Sequence, residues 1–205
     1  MNSELARLGS ATVYEAAGRV GMVDLEFRRV VPGSRVAGPA RPVMCGQDDN
    51  LMVHAAIAAA DPGDVIVFTM PEPRPIALVG DLLATQAQKR GVAALLIDAA
   101  VRDVEDLEEM GLPIWTRWVR VHGAGKETPG TLDEPVVVGG QRIARGDIVV
   151  LDGDGVAVVE KDRTGEVLEA SLAREEHERV KRGKLQAGAL SYDLDGLRER
   201  VEGSR

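Results

Sequence analysis

Two runs, residues 64–70 (DVIVFTM) and 92–99 (VAALLIDA), are apolar almost throughout, and they constrain the fold more than any other feature of this chain. Neither alternates between apolar and polar residues, so each reads as a buried strand. Between them, Gly80 opens a helix-length segment, DLLATQAQKR, that stops at Gly91. Strand, helix and strand at this spacing predict parallel βαβ units. The pattern continues with a short helix over residues 103–110, ended by Gly111, and a partly alternating strand over 114–121. Residues 50–60 are apolar and Ala-rich and predict a helix that stops at Asp61-Pro62-Gly63, a turn signal. The PEPRP stretch, 71–75, cannot be regular structure.

The flanks differ in character. Residues 3–17 predict one helix, with Leu5, Leu8, Val13 and Ala16 at helical spacing. Short strands follow at Val30-Val31, Val36-Ala37 and 42–45, separated by turns at Pro32-Gly33 and Gly38-Pro39. From Pro135 onward, short β runs and Gly-rich turns predict an antiparallel meander. Residues 163–186 are strongly charged and carry only a thin apolar stripe of Val167, Leu168, Leu172 and Val180. Such a helix is expected to pack on a neighbouring subunit rather than to form a second core. One further short helix is expected over 191–201. The chain therefore reads as a catalytic domain, 1–162, and a C-terminal helical extension, 163–205.

Bulk properties exclude several classes. A length of 205 residues suits one domain, and with aromatic residues at 3% its core must be aliphatic. The net charge of −8 disfavours a nucleic-acid partner. An anionic substrate would need a local cation, either an arginine or a metal. The single cysteine, Cys45, precludes an internal disulfide and fits a reducing, cytoplasmic setting. No apolar run is long enough for a membrane span, and Glu4, Arg7 and Glu15 rule out a signal peptide in the first 17 residues.

Chemistry-bearing residues fall in three segments: Asp49-Asn50-Leu51 with His54; Gly80-Asp81-Leu82-Leu83; and Asp98-Ala99-Ala100-Val101-Arg102-Asp103. A helix starting at Gly80 presents the N–H groups of Leu82 and Leu83 to an anion. Arg102 ends the next strand, where ligands sit in α/β sheets, and a guanidinium there can hold a carboxylate with two hydrogen bonds. Asp81 and Asp103 are hard oxygen donors suited to Mg²⁺ or Mn²⁺. Each residue also has a structural reading. Asp81, Asp103 and Asn50 could cap helices, and Arg102 could pair with Asp106. His54 could be an ordinary buried histidine. Lys126, chemically a possible Schiff-base lysine, lies in a Gly-rich loop and reads as solvated. Asp152 and Asp154 read as turn residues, and Cys45 as core. No phosphate loop or nicotinamide fingerprint is present.

Taken together, the three segments and the later Gly139-Gly140, Gly146-Asp147 and 152–155 turns resemble the ribonuclease-regulator-like (RraA-like) family, in its aldolase branch. The resemblance runs from about residue 8 to residue 193. It implies an α/β fold, a three-layer β/β/α sandwich of the swivelling-domain kind, assembled as a homotrimer or homohexamer with sites between subunits. It also implies a metal-dependent aldolase that cleaves 4-hydroxy-4-methyl-2-oxoglutarate or a related 4-hydroxy-2-oxo acid to pyruvate, with oxaloacetate decarboxylation as a side activity. By the same resemblance Asp103 would bind Mg²⁺ or Mn²⁺ directly and Asp81 through water. Glu178 of a neighbouring subunit would assist, with Glu175 and Glu176 as substitutes. Arg102 and the amides of Leu82 and Leu83 would bind the pyruvyl part, with Gly80, Asn50 and His54 lining the site. Two alternatives stand beside this: a non-catalytic regulator that binds a ribonuclease, and a dedicated oxo-acid decarboxylase or lyase. The family's regulators lack the arginine–aspartate pair and the long C-terminal helix, and this chain has both.

Overall fold

The computed structural model describes residues 1–203. In chain order its elements are helices α1 (Asn2–Leu8) and α2 (Ser10–Ala16), strands β1 (Arg28–Arg29) and β2 (Val36–Met44), helix α3 (Leu51–Ala59), strands β3 (Val65–Thr69) and β4 (Ala77–Val79), and helix α4 (Asp81–Lys89). Then come β5 (Ala94–Val101), α5 (Val104–Met110), β6 (Ile114–Val119), β7 (Thr131–Leu132), β8 (Val136–Val138), β9 (Gln141–Ile143), β10 (Ile148–Leu151) and β11 (Val156–Val159). Helices α6 (Thr164–Gln186), α7 (Ser191–Leu194) and α8 (Leu197–Glu202) close the chain.

One curled, mixed sheet runs β1-β6-β5-β3-β2-β10-β11, with β4 added to β5 and β7 to β2, while β8 and β9 form a separate hairpin. The expected parallel unit is its centre: β2, β3, β5 and β6 pair in parallel, as do β4 and β5. Alternation along the buried strands sorts side chains into two cores. Ile66 and Phe68 of β3, with Leu95, Ile97, Ala99 and Val101 of β5, face helices α3, α4 and α5. Val65, Val67, Ala94 and Leu96 face the other way and meet Val136, Val138, Ile143, Val149, Leu151, Val156 and Val158. The result is helices on sheet on sheet, the expected β/β/α layering. A third cluster lies behind β10 and β11. There Ile148, Val150 and Val159 pack against Leu5, Leu8, Val13 and Val167 of α1, α2 and α6.

Four expectations change in detail. The N-terminal helix breaks in two at Gly9, which has φ 86°, because the buried Asp152 carboxylate accepts hydrogen bonds there from Ser10 N (2.8 Å) and Ser10 Oγ (2.6 Å). β2 runs unbroken through Gly38-Pro39; it pairs with β10 up to Pro39 and with β3 from Ala40, so the proline sits where the partner strand changes. Val30 is buried but outside any strand, and the preceding Arg28–Arg29 pairs with β6 instead. The meander splits, since β8–β9 is self-contained and β10 pairs with β2. The cause is the tight turn before β10, where Asp147 Oδ2 accepts from Ala144 N (2.8 Å) and Gly146 takes φ 89°. Arg145 in that turn reaches Asp64 (2.9 Å) and Asp61 (2.9 Å), joining a buried cluster in which Asp64 also pairs with Arg41 at 2.8 Å.

The C-terminal extension is helical, with Gly196 (φ 66°) dividing the last segment into α7 and α8. The first turns of α6 pack on α1 and α2 of their own chain, burying Val167 and Ser171. Beyond Ser171 no described residue of the extension is buried, and Leu172, Val180 and Leu185 remain exposed.

Candidate active site

The site lies at the carboxyl ends of β4 and β5. Strand β4, too short to stand out in the sequence, pairs in parallel with β5 and delivers Gly80 and the first turn of α4 beside Arg102 and Asp103, which follow β5. The Arg102 N–H donates to Val79 O at 3.1 Å, which fixes the two strand ends side by side.

Asp103 does not cap its own helix: it precedes α5 in a left-handed conformation (φ 59°, ψ 44°) and makes no side-chain capping bond there. Its Oδ2 instead accepts the Asp81 N–H at the start of α4, at 3.2 Å. Aspartate tolerates this backbone region better than most residues. Asp81 makes no capping bond either, and its carboxylate has no partner among the described residues. The capping reading of both aspartates therefore fails. Arg102 does not pair with Asp106; its Nε lies 3.5 Å from Asp103 Oδ2, and the guanidinium is half exposed.

Gly80 is closely confined by the Asp103 and Arg102 side chains. Its backbone is extended (φ −129°, ψ −170°), which any residue can adopt. A Cβ there, however, would lie 2.3 Å from Asp103 Oδ2 and 3.2 Å from Arg102 Cγ and Nε. From the other side, a Cβ at Gly123 would lie 2.8 Å from Arg102 Nη1, the far end of a side chain free to move aside. The first main-chain bond of α4 is Ala84 N–H to Gly80 O, so the Leu82 and Leu83 N–H groups remain open to an anion.

These groups border a cavity of about 280 Å³, which Asn50, His54, Gly80, Asp81, Leu82, Leu83 and Arg102 share with Gln86, Gly123, Ala124 and Lys126. Asn50 occupies the N-cap position of α3 without capping it; its Nδ2 donates to Leu78 O at 2.9 Å, tying α3 to β4. Asn50 Oδ1 and His54 Nε2 are buried and lack hydrogen-bond partners. Two orphaned polar atoms at one cavity are costly unless a ligand completes them, so neither residue is merely a satisfied core group.

Lys126, read as a solvated loop residue, is exposed yet lines the cavity. The cause is Asp49, a buried carboxylate that accepts the N–H groups of Leu51 (2.8 Å), Glu127 (2.7 Å) and Thr128 (3.0 Å). Burial alone would push the Asp49 carboxyl up, but the three backbone donors together hold it below its usual range. Asp49 thereby pins the Gly-rich loop over the start of α3. A buried Asp immediately before Asn50 was the only sequence signal for this, and nothing linked it to a loop almost 80 residues away. Cys45 is core as expected, its thiol pushed up to about 12, chiefly by burial.

No residue of α6 lines the cavity. Glu178 pairs with Arg174 at 2.9 Å, and Glu175 with Arg7. Among the described residues, no group of three His, Cys, Asp or Glu side chains could enclose a metal ion. Asp81 lines this cavity, whereas Asp103 lines the neighbouring recess that shares Arg102 with it; Mg²⁺, which keeps much of its water and takes one or two carboxylates plus ligand oxygens, suits such a pair.

A family model described as RraA-like, Aldolase/RraA, matches residues 10–158. The chain belongs to the RraA-like family. A relative from Halalkalibacterium halodurans, named "Putative 4-hydroxy-4-methyl-2-oxoglutarate aldolase", is 34% identical over 141 residues, covering 69% of this chain and 67% of its own length. Solved structures share the fold over about nine-tenths of the chain, one of them an inhibitor-family member, so the C-terminal extension does not by itself separate the aldolase branch from the regulators as expected. An uncharacterized protein from Pseudomonas syringae aligns with TM-score 0.81 at 26% identity, over 92% of each chain. RraAS2 of Streptomyces coelicolor, described as an unusual member of the RNase ES inhibitor RraA family, aligns with TM-score 0.79 at 27% identity over 89% of this chain and 96% of its own. No helix among the described residues is long and apolar enough to cross a membrane.

Proposed function

We propose that this RraA-like protein is a pyruvate-releasing aldolase acting on 4-hydroxy-4-methyl-2-oxoglutarate or a related 4-hydroxy-2-oxo acid. The observation that carries the reading is the close packing of Arg102, Asp103 and the first turn of α4 around Gly80, where an added methyl group would force the Asp103 and Arg102 side chains to shift. The C1 carboxylate of the substrate binds the open N–H groups of Leu82 and Leu83, with the positive end of α4 behind them. Arg102 lies beside the 2-oxo group. A base takes the proton of the C4 hydroxyl, whose oxygen becomes the carbonyl of the second product as the C3–C4 bond breaks. The electron pair gathers on the 2-oxo oxygen as the pyruvate enolate, which the guanidinium stabilises until C3 takes up a proton. The single O–H of the substrate's C4 hydroxyl can donate to one of the two buried atoms that lack protein partners, Asn50 Oδ1 or His54 Nε2. Because oxaloacetate loses carbon dioxide through the same enolate, the same groups support that decarboxylation.

Asp103 and Asp81 would hold the divalent metal, whose chemistry is Lewis-acid polarisation of the 2-oxo group. Glu178 could reach this site only from a second copy of the chain, since its own helix lies outside the cavity. The likeness to RraAS2 keeps a ribonuclease-regulator role as the second reading. Pyruvate release from a panel of 4-hydroxy-2-oxo acids, with Mg²⁺ and with excess chelator, separates the two. Metal-dependent release supports the aldolase; no release from any member, or full release in chelator, overturns the proposal.

A further inference from the structure

Asp98 belongs to the segment that carries Arg102 and Asp103, yet it lines neither the cavity nor the neighbouring recess. It is 3% exposed, in the body of β5, and its carboxylate spans three strands. Oδ2 accepts from Thr69 Oγ1, at the end of β3, at 3.1 Å. Oδ1 accepts from Arg117 Nη1, in β6, at 3.0 Å. The Arg117 guanidinium in turn lies over the Trp118 ring, 4.1 Å from its centre. Burial pushes the Asp98 carboxyl above its usual range in spite of Arg117 and Thr69, so its charge adds no net stability to the fold.

This clasp sits on an irregularity of the sheet. Ile97 pairs with Thr116 and Ala100 with Trp118, so two residues of β5, Asp98 and Ala99, oppose one residue of β6, Arg117. Such a bulge re-aims the side chains that follow it. The fully buried Thr116 hydroxyl shares its one hydrogen between Ala99 O (2.9 Å) and Trp118 O (3.0 Å), both within the irregular stretch. A second irregularity lies on the other side of β5. Ala77 pairs with Ala100 and Val79 with Val101, which leaves Leu78 over, and Leu78 O accepts Asn50 Nδ2 at 2.9 Å. Thus β5 leaves regular register with both neighbours just before it delivers Arg102 and Asp103. A β5 paired regularly with β6 would shift its end by one residue, about 3.3 Å along the strand.

We propose that Asp98 is a positioning residue: by gripping Arg117 and Thr69 it holds the β5 bulge that sets where Arg102 and Asp103 stand. This rests on the aldolase reading. Asp98 touches no substrate and acts through Arg102.

The test compares the wild type with Asp98→Asn, Arg102→Lys and the double variant. Asparagine keeps the shape of aspartate, but its NH₂ cannot accept, so one of the two contacts is lost. For pyruvate release from 4-hydroxy-4-methyl-2-oxoglutarate with Mg²⁺, Asp98→Asn should lower kcat at least about tenfold and leave KM within about twofold. The double variant should be within about twofold of Arg102→Lys alone, because Asp98 acts through the group already replaced. Amide hydrogen exchange reads the strand end without activity. Arg102 N–H, bonded to Val79 O, and Arg120 N–H, bonded to Val101 O, should exchange at least about tenfold faster in Asp98→Asn. Leu95 N–H, bonded to Pro113 O at the start of β5, should not change. Thr116→Val removes the hydroxyl from the same bulge without touching the carboxylate; it should give the same pattern and serves if Asp98→Asn folds poorly. Unchanged kcat, losses that multiply in the double variant, or exchange that quickens equally at all three amides overturns the positioning role and leaves the aldolase standing. No pyruvate from the wild type removes the aldolase reading, and the role with it.

Discussion

Replacing Gly80 by alanine probes the site with a single methyl group. The backbone at Gly80 accepts alanine without strain, so any effect arises from contacts. The new Cβ would stand 2.3 Å from Asp103 Oδ2. Restoring a contact of about 3.5 Å requires the carboxylate, or the start of α4, to move by about 1 Å. Arg102, whose Cγ and Nε would both be 3.2 Å away, must yield as well. A misplacement of about 1 Å at a reacting centre costs on the order of 100-fold in rate, or about 2.7 kcal/mol in the barrier. The fold should lose far less. The one contact at risk is the 3.2 Å bond from Asp81 N to a partly exposed carboxylate, worth less than about 1.5 kcal/mol. At about 2–4 °C per kcal/mol for a domain of this size, the melting temperature should fall by no more than about 6 °C. The assay is pyruvate release coupled to nicotinamide oxidation, with thermal unfolding on the same sample. Wild-type activity in a folded Gly80→Ala protein would refute the claim that Asp103 and Arg102 act at this locus. A large loss of stability would show instead that the glycine serves the fold.

Other outcomes follow from the same geometry. Asp103→Asn keeps a residue tolerant of the left-handed backbone while removing the charge; it should melt within a few degrees of the wild type and lose most pyruvate release, whereas retained activity would free Asp103 from any metal role. Asp64→Asn leaves the buried Arg41 short of its closest partner and should cost about 3–5 kcal/mol, read as a fall in melting temperature on the order of 10 °C. Burial would raise the Asp64 carboxyl, but Arg145 and Arg41 hold it below its usual value. Its contribution is therefore full above the unfolded value of about 3.9 and is lost as pH falls through the folded one. The gap between wild type and Asp64→Asn should close in acid, and a gap independent of pH would contradict this. If Glu178 serves a neighbour's site, mixing inactive Glu178→Ala and Asp103→Ala proteins should restore part of the activity once subunits exchange; exchange confirmed by mass without recovery would rule the residue out.

The parallel centre of the fold was legible because its strands are apolar on both faces and its helices end at glycines. The site was legible in part for the same reason, since ligands collect where such strands end, and Gly80, Arg102 and Asp103 all lie there. What escaped depended on partners distant in sequence. Gly9 looks like a helix interior until the Asp152 carboxylate, 142 residues beyond Ser10, takes up Ser10 N and Oγ. Pro39 looks like a turn because nothing local shows that β2 changes partners beside it. Lys126 looks solvated because its place is fixed by Asp49, which binds the N–H groups of the following two residues. The apolar stripe of α6 serves its own chain in part: Val167 and Leu168 cover the back of β10 and β11, while Leu172 and Val180 further along stay exposed.

The most direct test of the central claim is to follow 4-hydroxy-4-methyl-2-oxoglutarate to completion by NMR with Mg²⁺ and either the wild-type protein or Arg102→Lys. Cleavage between C3 and C4 converts each substrate molecule into two of pyruvate. A lysine cannot reproduce the planar fork beside the developing oxyanion, so the variant should be slower by at least about 100-fold. Two pyruvates per substrate from the wild type, with that loss in the variant, is the predicted result. No pyruvate from the wild type, or equal rates from the two proteins, would contradict it.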